Sequence, residues 1–486
     1  MGLNKFILFV RKEGSSLIMK KNLPLLCMAF LMMVLLVSGC GGTAAEPPPA
    51  PADEKQDGTP RSTPEQTDGS DTTQPNEASS ANDVTYDGEP VTLKFAIEVD
   101  EETFRIRYKE QIEEKFPNIT LELANASLTP EGLQELNARG DIPDLYVMHQ
   151  GYDMLKDLDM LEPLDPYIEQ SGFDLGVIND GIVEIQRALD PDGTGLLYGM
   201  PIEGTQRALY YNKAIFDKFG VDYPRDGMTW DDILDLAKQV TAERDGVKYR
   251  GLSFGHYSIP ITQFGVNGTD PETGEVLFTK EPAFQQFFEM LDKYRSIPGM
   301  VDPSDYSYTF NNDQNVAMTI VSLPTLPLYN AIQGLDFDIV SVPEWPDHPG
   351  IGPSVPAISI SINKHSKHKD AAWAVIAHLA SQEGQLVLSR VGSPPTIRNA
   401  EAFDQYSAAD MEAADKKYNI RPIFEQRMAS ISNFSPYGPL VTFFYDDYIN
   451  QKARTFVTTP DKDVATFLRE MEEEYATIVK EMKELK

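Results

Sequence analysis

Residues 91–97, Val91-Thr92-Leu93-Lys94-Phe95-Ala96-Ile97, place large apolar side chains at every second position. That period of two predicts a strand with a buried face. A helical spacing follows at 108–116, then a second strand at 119–123 and a third at 144–148. Alternation of strand, helix and strand predicts an α/β fold with a largely parallel sheet.

The same kind of pattern continues to the end of the chain. Thr229 and Asp232 form a variant of the capping box, which predicts the start of a helix. Roughly 400 residues follow Val91, too many for one small core, so two lobes are expected. The other elements predicted from spacing are a helix capped by Asn212 and ended by Gly220, a strand at 357–362, and helices at 370–388 and 464–482.

Residues 1–39 have the features of a secretory signal peptide, because Lys20 and Lys21 precede an apolar run at 23–37. The following Leu36-Val37-Ser38-Gly39-Cys40 resembles the lipobox of bacterial lipoproteins, in which the cysteine is lipidated and becomes the first mature residue. We therefore expect a lipid on Cys40 and a location at the cell membrane, on its extracytoplasmic face. Cys27 would be removed, so no disulfide, thiolate–metal site or catalytic thiol is expected.

Residues 40–88 are rich in Pro, Ser, Thr and acidic side chains. They are predicted to form a disordered tether, because so little apolar surface cannot offset the entropy of ordering the chain. The formal net charge of the whole chain is -33. A surface this acidic repels phosphates, which excludes nucleic acid as a partner.

Three motifs that could indicate catalysis or metal binding are better explained as chance matches. Residues 251–255 fit the G-x-S-x-G pattern of a hydrolase nucleophile, but the preceding residues are half charged and Pro260 follows where a helix is needed. His365 and His368 lie among lysines, which would repel a cation, and residues 190–194 lack the distal Glu of a calcium loop. We expect no enzyme activity, no cofactor and no bound metal.

A series of short segments occurs in a fixed order along the chain: 140–145, 161–165, 198–201, 209–213, 229–230, 316–318, 369–373, 381–383 and 392–395. The most specific part joins Tyr210-Tyr211-Asn212-Lys213 to Thr229-Trp230. Together these segments resemble the family 1 extracellular solute-binding proteins, the group that includes maltose-binding protein. The resemblance covers about residues 91–486.

This resemblance implies a two-lobed, periplasmic-binding-protein-like fold of type II, with a ligand cleft between the lobes. It implies a first lobe at 89–199 and 335–391, and a second at 200–334 and 392–486. Crossings between the lobes are expected near 198–201, Gly334 and 392–395, where Gly and Pro suit hinges. The implied function is the solute-binding component of an ABC importer, which delivers a carbohydrate ligand to a permease.

The resemblance also implies which segments line the cleft. The expected ligand-binding residues are Glu98, Asp100, His149, Gln150, Glu203, His256, Tyr257, Phe444 and Tyr445. Carboxylates and amides would bind sugar hydroxyls, and aromatic rings would pack on sugar CH faces. Phe444 and Tyr445 fit a core equally well, and His149 also fits a structural role.

One departure from the family leaves the ligand open. The segment 321–324 lacks the Trp often found after the Ala-Met pair at 317–318. Smaller sugars, uronic acids or a different solute therefore remain possible ligands, and Arg207 is the nearest candidate to bind an anion. The expected partners are a small solute, the permease subunits and the membrane, and the protein is expected to be a monomer. The alternative function is a cell-surface binding module or a hydrolase of wall polysaccharide.

Overall fold

The computed structural model of the chain describes residues 82–124, 128–148, 151–301, 308–354, 356–429, 435–438 and 447–485. The predicted signal peptide, Cys40 and the tether up to residue 81 lie outside this range. Within it, none of the helices combines the length and apolar character that are needed to cross a bilayer.

Two five-stranded sheets organise the described chain. The first has the strand order β2-β1-β3-β11-β4 and the second the order β6-β7-β8-β5-β9, while β10 and β12 form a separate pair. The strands are β1 Val91–Ala96, β2 Ile119–Ala124, β3 Leu145–Met148, β4 Met200–Glu203, β5 Arg207–Asn212, β6 Ala242–Arg244, β7 Val247–Ser253, β8 Val316–Ser322, β9 Phe337–Val340, β10 Ile351–Gly352, β11 Ile358–Ile362 and β12 Arg427–Met428.

Both sheets are mixed, so the expectation of a largely parallel sheet was wrong. Strands β1, β2 and β3 pair in parallel, whereas β11 is antiparallel to both β3 and β4. In the second sheet β7 and β8 are parallel, but β5 is antiparallel to β8 and β9. The path of the chain explains this arrangement. β5 and β11 each follow a crossing from the other sheet, so each begins on the side of its sheet where the neighbouring strands end, and it must run antiparallel to them.

Helices cover the sheets. They are α1 Glu101–Phe104, α2 Glu110–Lys115, α3 Pro130–Ala138, α4 Asp153–Asp157, α5 Asp165–Ser171, α6 Asp180–Ala188, α7 Lys213–Phe219, α8 Trp230–Val240, α9 Pro282–Ser296, α10 Tyr308–Asn311, α11 Leu326–Asn330, α12 Lys369–Ala380, α13 Gln382–Arg390, α14 Ala400–Asp404, α15 Ala408–Ala414, α16 Arg421–Glu425, α17 Asp447–Thr458 and α18 Val464–Leu485. A π-helical segment, Arg105–Lys109, connects α1 to α2.

Each sheet is buried on both faces, as the α/β prediction requires. In β3, Leu145 and Val147 belong to one apolar cluster, while Tyr146 belongs to a different cluster on the opposite face. In β5, Leu209 likewise belongs to one cluster and Tyr210 to another. The α/β fold is therefore confirmed, and each sheet separates two layers of core.

Local signals in the sequence predicted several helix ends correctly. Thr229 and Asp232 form the reciprocal capping box at the start of α8. Gly220 ends α7 with φ 67°, a left-handed conformation that favours glycine. The predicted helix at 370–388 is instead two helices, because the Ser381 hydroxyl accepts a hydrogen bond from Gly384 N (3.2 Å) and starts α13.

The globular part begins earlier than the predicted end of the tether at residue 88. The Asn82 amide group donates to Asp174 O (3.1 Å) and accepts from Asp174 N (2.7 Å). Val84 and Tyr86 pack against the core of the first sheet. Residues 82–88 are thus ordered, because these few apolar and amide side chains find partners on the first sheet's helices and loops.

The strand pairing shows that the crossings between the sheets lie at other positions than predicted. Met200–Glu203 pairs within the first sheet, so the first crossing is at residues 204–206 and not at 198–201. Phe337–Val340 pairs within the second sheet, so the second crossing lies between β9 and β11 and not at Gly334. Residues 396–398 still bond to the first half, through Asn179 N–Thr396 O (2.9 Å) and Arg398 N–Val177 O (3.1 Å).

Gly251 offers a direct test of the packing between β7 and α8. A Cβ added to this residue would lie 2.2 Å from Ala237 O, a backbone atom of α8. We expect Gly251→Ala to lower the free energy of unfolding by about 3 kcal/mol, because helix and strand must separate. Gly193→Ala is the control: with φ 67° and no atom within 4 Å of the added Cβ, it should cost only about 1 kcal/mol. Urea unfolding measures both, and equal losses would contradict the account.

Candidate functional site

The candidate site is the region where the chain crosses between the two sheets. β1, β3 and β4 end on this side of the first sheet, the first edge, and β7, β8 and β9 end on the corresponding side of the second sheet, the second edge. Segments that follow such strand ends bind ligands in many open α/β sheets. The candidate residues after β1, at the end of β4 and after β7 all fall in this position.

Hydrogen bonds tie the first two crossing segments and the loop at 392–395 together at the centre of this site. Gly204 N donates to Pro394 O (2.6 Å), and the Gln206 side-chain amide donates to Pro395 O (3.5 Å). The Thr205 hydroxyl donates to Pro356 O (3.0 Å) in the second crossing. The first two crossings and this loop therefore form one bonded cluster, and Glu203 and Arg207 flank the first crossing.

Glu203 is buried and paired within the first half of the protein. Its side chain is 7% exposed, and the Arg107 guanidinium lies 3.3 Å from the carboxylate. Burial raises the pKa of Glu203, while Arg107 and the neighbouring Ser393 hydroxyl act in the opposite direction. Arg107 projects from the π-helical segment, a type of distortion that is frequent at functional sites.

A buried arginine, Arg207, lies at the second edge. Arg207, the first residue of β5, is only 7% exposed and pairs with Ser322 at the end of β8. Burial lowers the pKa of His256 to about 4, and the positive charges of Arg207 and Arg454 act in the same direction. The imidazole is therefore neutral at neutral pH, although two guanidinium groups lie near it.

The remaining described candidates have different surroundings. Glu98 and Asp100 are exposed on the loop after β1, and Asp100 accepts hydrogen bonds from Thr103 N and Oγ1 (2.8 Å each). The hydrogen bond from Thr103 N lowers the pKa of Asp100. Tyr257 is 4% exposed and packs between Phe254 and Tyr294, at ring-centroid distances of 5.5 and 6.1 Å. The structure thus places Tyr257 in the core of the second half.

Four expected site residues, His149, Gln150, Phe444 and Tyr445, lie outside the described residues. Among the described candidate residues, Glu98, Asp100 and Glu203 lie at the first edge. His256 and Tyr257 follow β7 at the second edge. Sequence reasoning missed Arg107 and Arg454 altogether. Nothing in their local sequence marks them, because Arg107 meets Glu203, and Arg454 acts on His256, only in the folded chain.

The motifs that resembled catalytic or metal sites have structural roles. Ser253 is fully buried at the end of β7, and turns follow it in place of a helix. The Asp190 carboxylate accepts hydrogen bonds from Asp192 N, Thr194 N and Leu196 N, which confirms the prediction of a turn. Among the described residues, no cluster of three His, Cys, Asp or Glu side chains could hold a metal ion.

Comparison with known proteins gives both a family and relatives. The family model described as bacterial extracellular solute-binding protein matches residues 99–386. Proteins of Brucella abortus and Brucella suis that are named as binding proteins are 25% identical over 245 residues. These alignments cover 45% of this chain and 56% of each relative, so they span little more than half of the relatives' length.

Solved structures share the fold at low sequence identity. A sugar transporter from Rhizobium etli in an open conformation matches with a TM-score of 0.63 and 19% identity, over 79% of this chain and 99% of that one. The sugar-binding protein MalE from Xanthomonas citri matches with a TM-score of 0.60 and 18% identity, over 81% and 99%. An ABC substrate-binding protein from Listeria monocytogenes in complex with cycloalternan gives 0.58 and 17%, over 80% and 99%.

The ion pair at the first edge can be tested by substitution. Arg107→Met should lower the free energy of unfolding by roughly 2 kcal/mol, because it leaves the Glu203 carboxylate buried without its cation. Glu203→Gln combined with Arg107→Met should cost less than the two single changes added together, which a double-mutant cycle measures.

Arg105→Met provides the matched control in the same π-helical segment. Arg105 pairs with Glu102 on the surface, where both side chains are largely exposed. Arg105→Met should lower the free energy of unfolding much less than Arg107→Met does, because water screens an exposed ion pair. Equal decreases in the free energy of unfolding for Arg105→Met and Arg107→Met would show that Arg107 does not stabilise the buried Glu203 carboxylate.

Proposed function

This chain belongs to the bacterial extracellular solute-binding proteins, and from that premise we propose that it binds a carbohydrate between its two halves and delivers it to an ABC permease. The family consists of binding proteins and not of enzymes, so the ligand would be released unchanged. The single observation that carries the proposal is the family match over residues 99–386, which includes strands of both sheets and the first two crossings between them.

The chemistry of the neighbours in structure supports a sugar as the solute. The Listeria protein is in complex with cycloalternan, and the Rhizobium and Xanthomonas proteins are described as a sugar transporter and a sugar-binding protein. The facing edges of this chain offer the groups that sugar hydroxyls need, namely carboxylates at Glu98 and Asp100 and an imidazole at His256.

The geometry of the crossings supports a mechanism of hinge closure. Two sheets joined by short segments at one edge can rotate about those segments, and a solute between the edges would stabilise the closed arrangement. In this proposal the first half contains the sheet with β1 to β4 and β11, and the second contains the sheet with β5 to β9.

We extend the proposal to the location and assembly of the protein. A lipid on Cys40 would anchor it to the extracytoplasmic face of the cell membrane, and residues 41–81 would separate the globular part from the bilayer. A monomer would bind the solute and then dock on the permease subunits. Replacement of Cys40 by Ala should release the protein from membranes into the medium, if the anchor is a lipid on this residue.

Ligand-dependent stability tests the binding function. A soluble form spanning residues 82–486 would be heated with a panel of neutral and acidic mono- and oligosaccharides. A ligand at 100 times its Kd should stabilise the protein by about 2.7 kcal/mol, which raises Tm by several degrees. A selective shift with the sugar recovered intact is the expected result. No shift with any sugar would contradict the carbohydrate assignment, and recovery of cleaved sugar would favour the hydrolase alternative.

A further inference from the structure

We propose that the Arg107 guanidinium, and not the Glu203 carboxylate, contacts the solute at the first edge, and that the buried Glu203 positions it. The inference rests on the proposed function and deepens it, because it assigns the group that binds one particular hydroxyl oxygen of a sugar. It also reverses an expectation from the resemblance, in which Glu203 binds ligand hydroxyls and Arg107 has no assigned role.

The two side chains of this ion pair differ in their access to solvent. The Glu203 side chain is 7% exposed and the Arg107 side chain is 26% exposed, while Arg107 Nη1 and Glu203 Oε2 lie 3.3 Å apart. Glu203 is the last residue of β4, so the pair lies where the first crossing begins. A solute that approaches the first edge therefore reaches the guanidinium more readily than the carboxylate.

Glu203 is held inside the protein by contacts that a neutral solute does not replace. Burial raises the pKa of Glu203, while Arg107 and the fully buried Ser393 hydroxyl lower it. A buried carboxylate that loses its cation is strongly destabilised. A sugar hydroxyl in the place of Arg107 would exchange an ion pair for a weaker neutral donor. We therefore expect Glu203 to stay paired and the solute to bind on the exposed side of the guanidinium.

The Arg107 guanidinium has more hydrogen-bond donors than its described contacts use. It carries five N–H groups. Its contacts among the described residues are the ion pair with Glu203 and an interaction with the buried Tyr108 hydroxyl. The charge-assisted hydrogen bonds of a guanidinium are roughly twice as strong as those between neutral groups. Since arginine only donates, its partner on the solute must be an acceptor, such as the oxygen of a sugar hydroxyl.

The π-helical segment Arg105–Lys109 brings Arg107 to the end of β4. A π turn adds a residue to a helix and so changes the directions of the side chains that follow. Arg105, at the start of the segment, pairs with Glu102 on the surface, whereas Arg107 reaches the buried end of β4. The Gln111 side-chain amide donates to the Arg107 carbonyl and holds the backbone there. Such distortions are frequent at functional sites, and this one presents an arginine to the region of the crossings.

Isothermal titration calorimetry with deoxy sugars tests the inference on the soluble 82–486 form. The probes are glucose, galactose and maltose, each with its monodeoxy derivatives, which lack one hydroxyl at a time. For the unsubstituted protein, we expect the loss of one particular hydroxyl to weaken binding roughly 10- to 100-fold, the range for a hydrogen bond to a charged group. The other deletions should have smaller effects.

Four variants assign this contact. Arg107→Met removes all the donors, so deletion of the same hydroxyl should not weaken binding further. Arg107→Lys keeps a positive charge beside Glu203 and preserves the fold, but it should bind the parent sugar about 10-fold less tightly because the planar donors are lost. Glu203→Gln should weaken binding of the parent sugar, yet deletion of the hydroxyl should still weaken it further. Arg105→Met, in the same segment, should bind every sugar as the unsubstituted protein does, because Arg105 pairs on the surface.

Monodeoxyfluoro sugars distinguish a donor on the protein from an acceptor. Fluorine accepts a weak hydrogen bond and cannot donate one, whereas a carboxylate only accepts. If Arg107 contacts the hydroxyl, the fluorinated sugar should bind more tightly than the deoxy sugar. If Glu203 contacts it, the fluorinated and deoxy sugars should bind equally weakly, and the inference would be overturned.

The outcomes separate this inference from the function on which it rests. If each deletion weakens binding to Arg107→Met as much as to the unsubstituted protein, Arg107 does not contact the sugar. The inference is then wrong and the carbohydrate function remains. The same conclusion holds if no single hydroxyl affects binding to the unsubstituted protein. If none of the sugars binds to the unsubstituted protein, the carbohydrate function fails and the inference fails with it.

Discussion

The hydrogen bonds that join the first two crossing segments to each other's surroundings are the constraint on which the rest of the structure depends. Gly204 bonds to Pro394 in a loop of the first half, and Thr205 bonds to Pro356 in the second crossing, so the first two passages between the sheets meet in one place. Because the chain crosses there, β5 and β11 must start at the crossing edge and both sheets become mixed. In the proposed function, these bonds mark the short axis about which the two halves would rotate.

Charge is distributed unequally across this axis. On the first edge, Arg107 is paired with the buried Glu203, which makes that contact a structural support beside the hinge. On the second edge, burial first and then the charges of Arg207 and Arg454 lower the pKa of His256 to about 4, so its imidazole is neutral at neutral pH.

Local signals in the sequence predicted most elements of the fold, and long-range contacts account for what they missed. Apolar side chains at every second position predicted β1 and β2. Thr229 and Gly220 marked helix ends correctly, because helix caps depend on neighbouring residues. Strand direction and the position of the crossings depend on pairing between segments far apart, which periodicity does not encode. Within the site, Glu203 and Arg207 could be placed by resemblance, but the effect of Arg454 on His256 depends on the docking of α17 against the loop after β7.

Closure of the two halves on a bound solute can be measured directly by the distance between two spin labels. Both cysteines of the chain precede residue 82, so a soluble 82–486 form has none and can be labelled specifically at Glu101→Cys in α1 and Gln451→Cys in α17, both at exposed positions. We predict that a sugar that raises Tm also shortens and narrows the distance distribution, because it stabilises the closed arrangement. A sugar that raises Tm without changing the distances would contradict hinge closure.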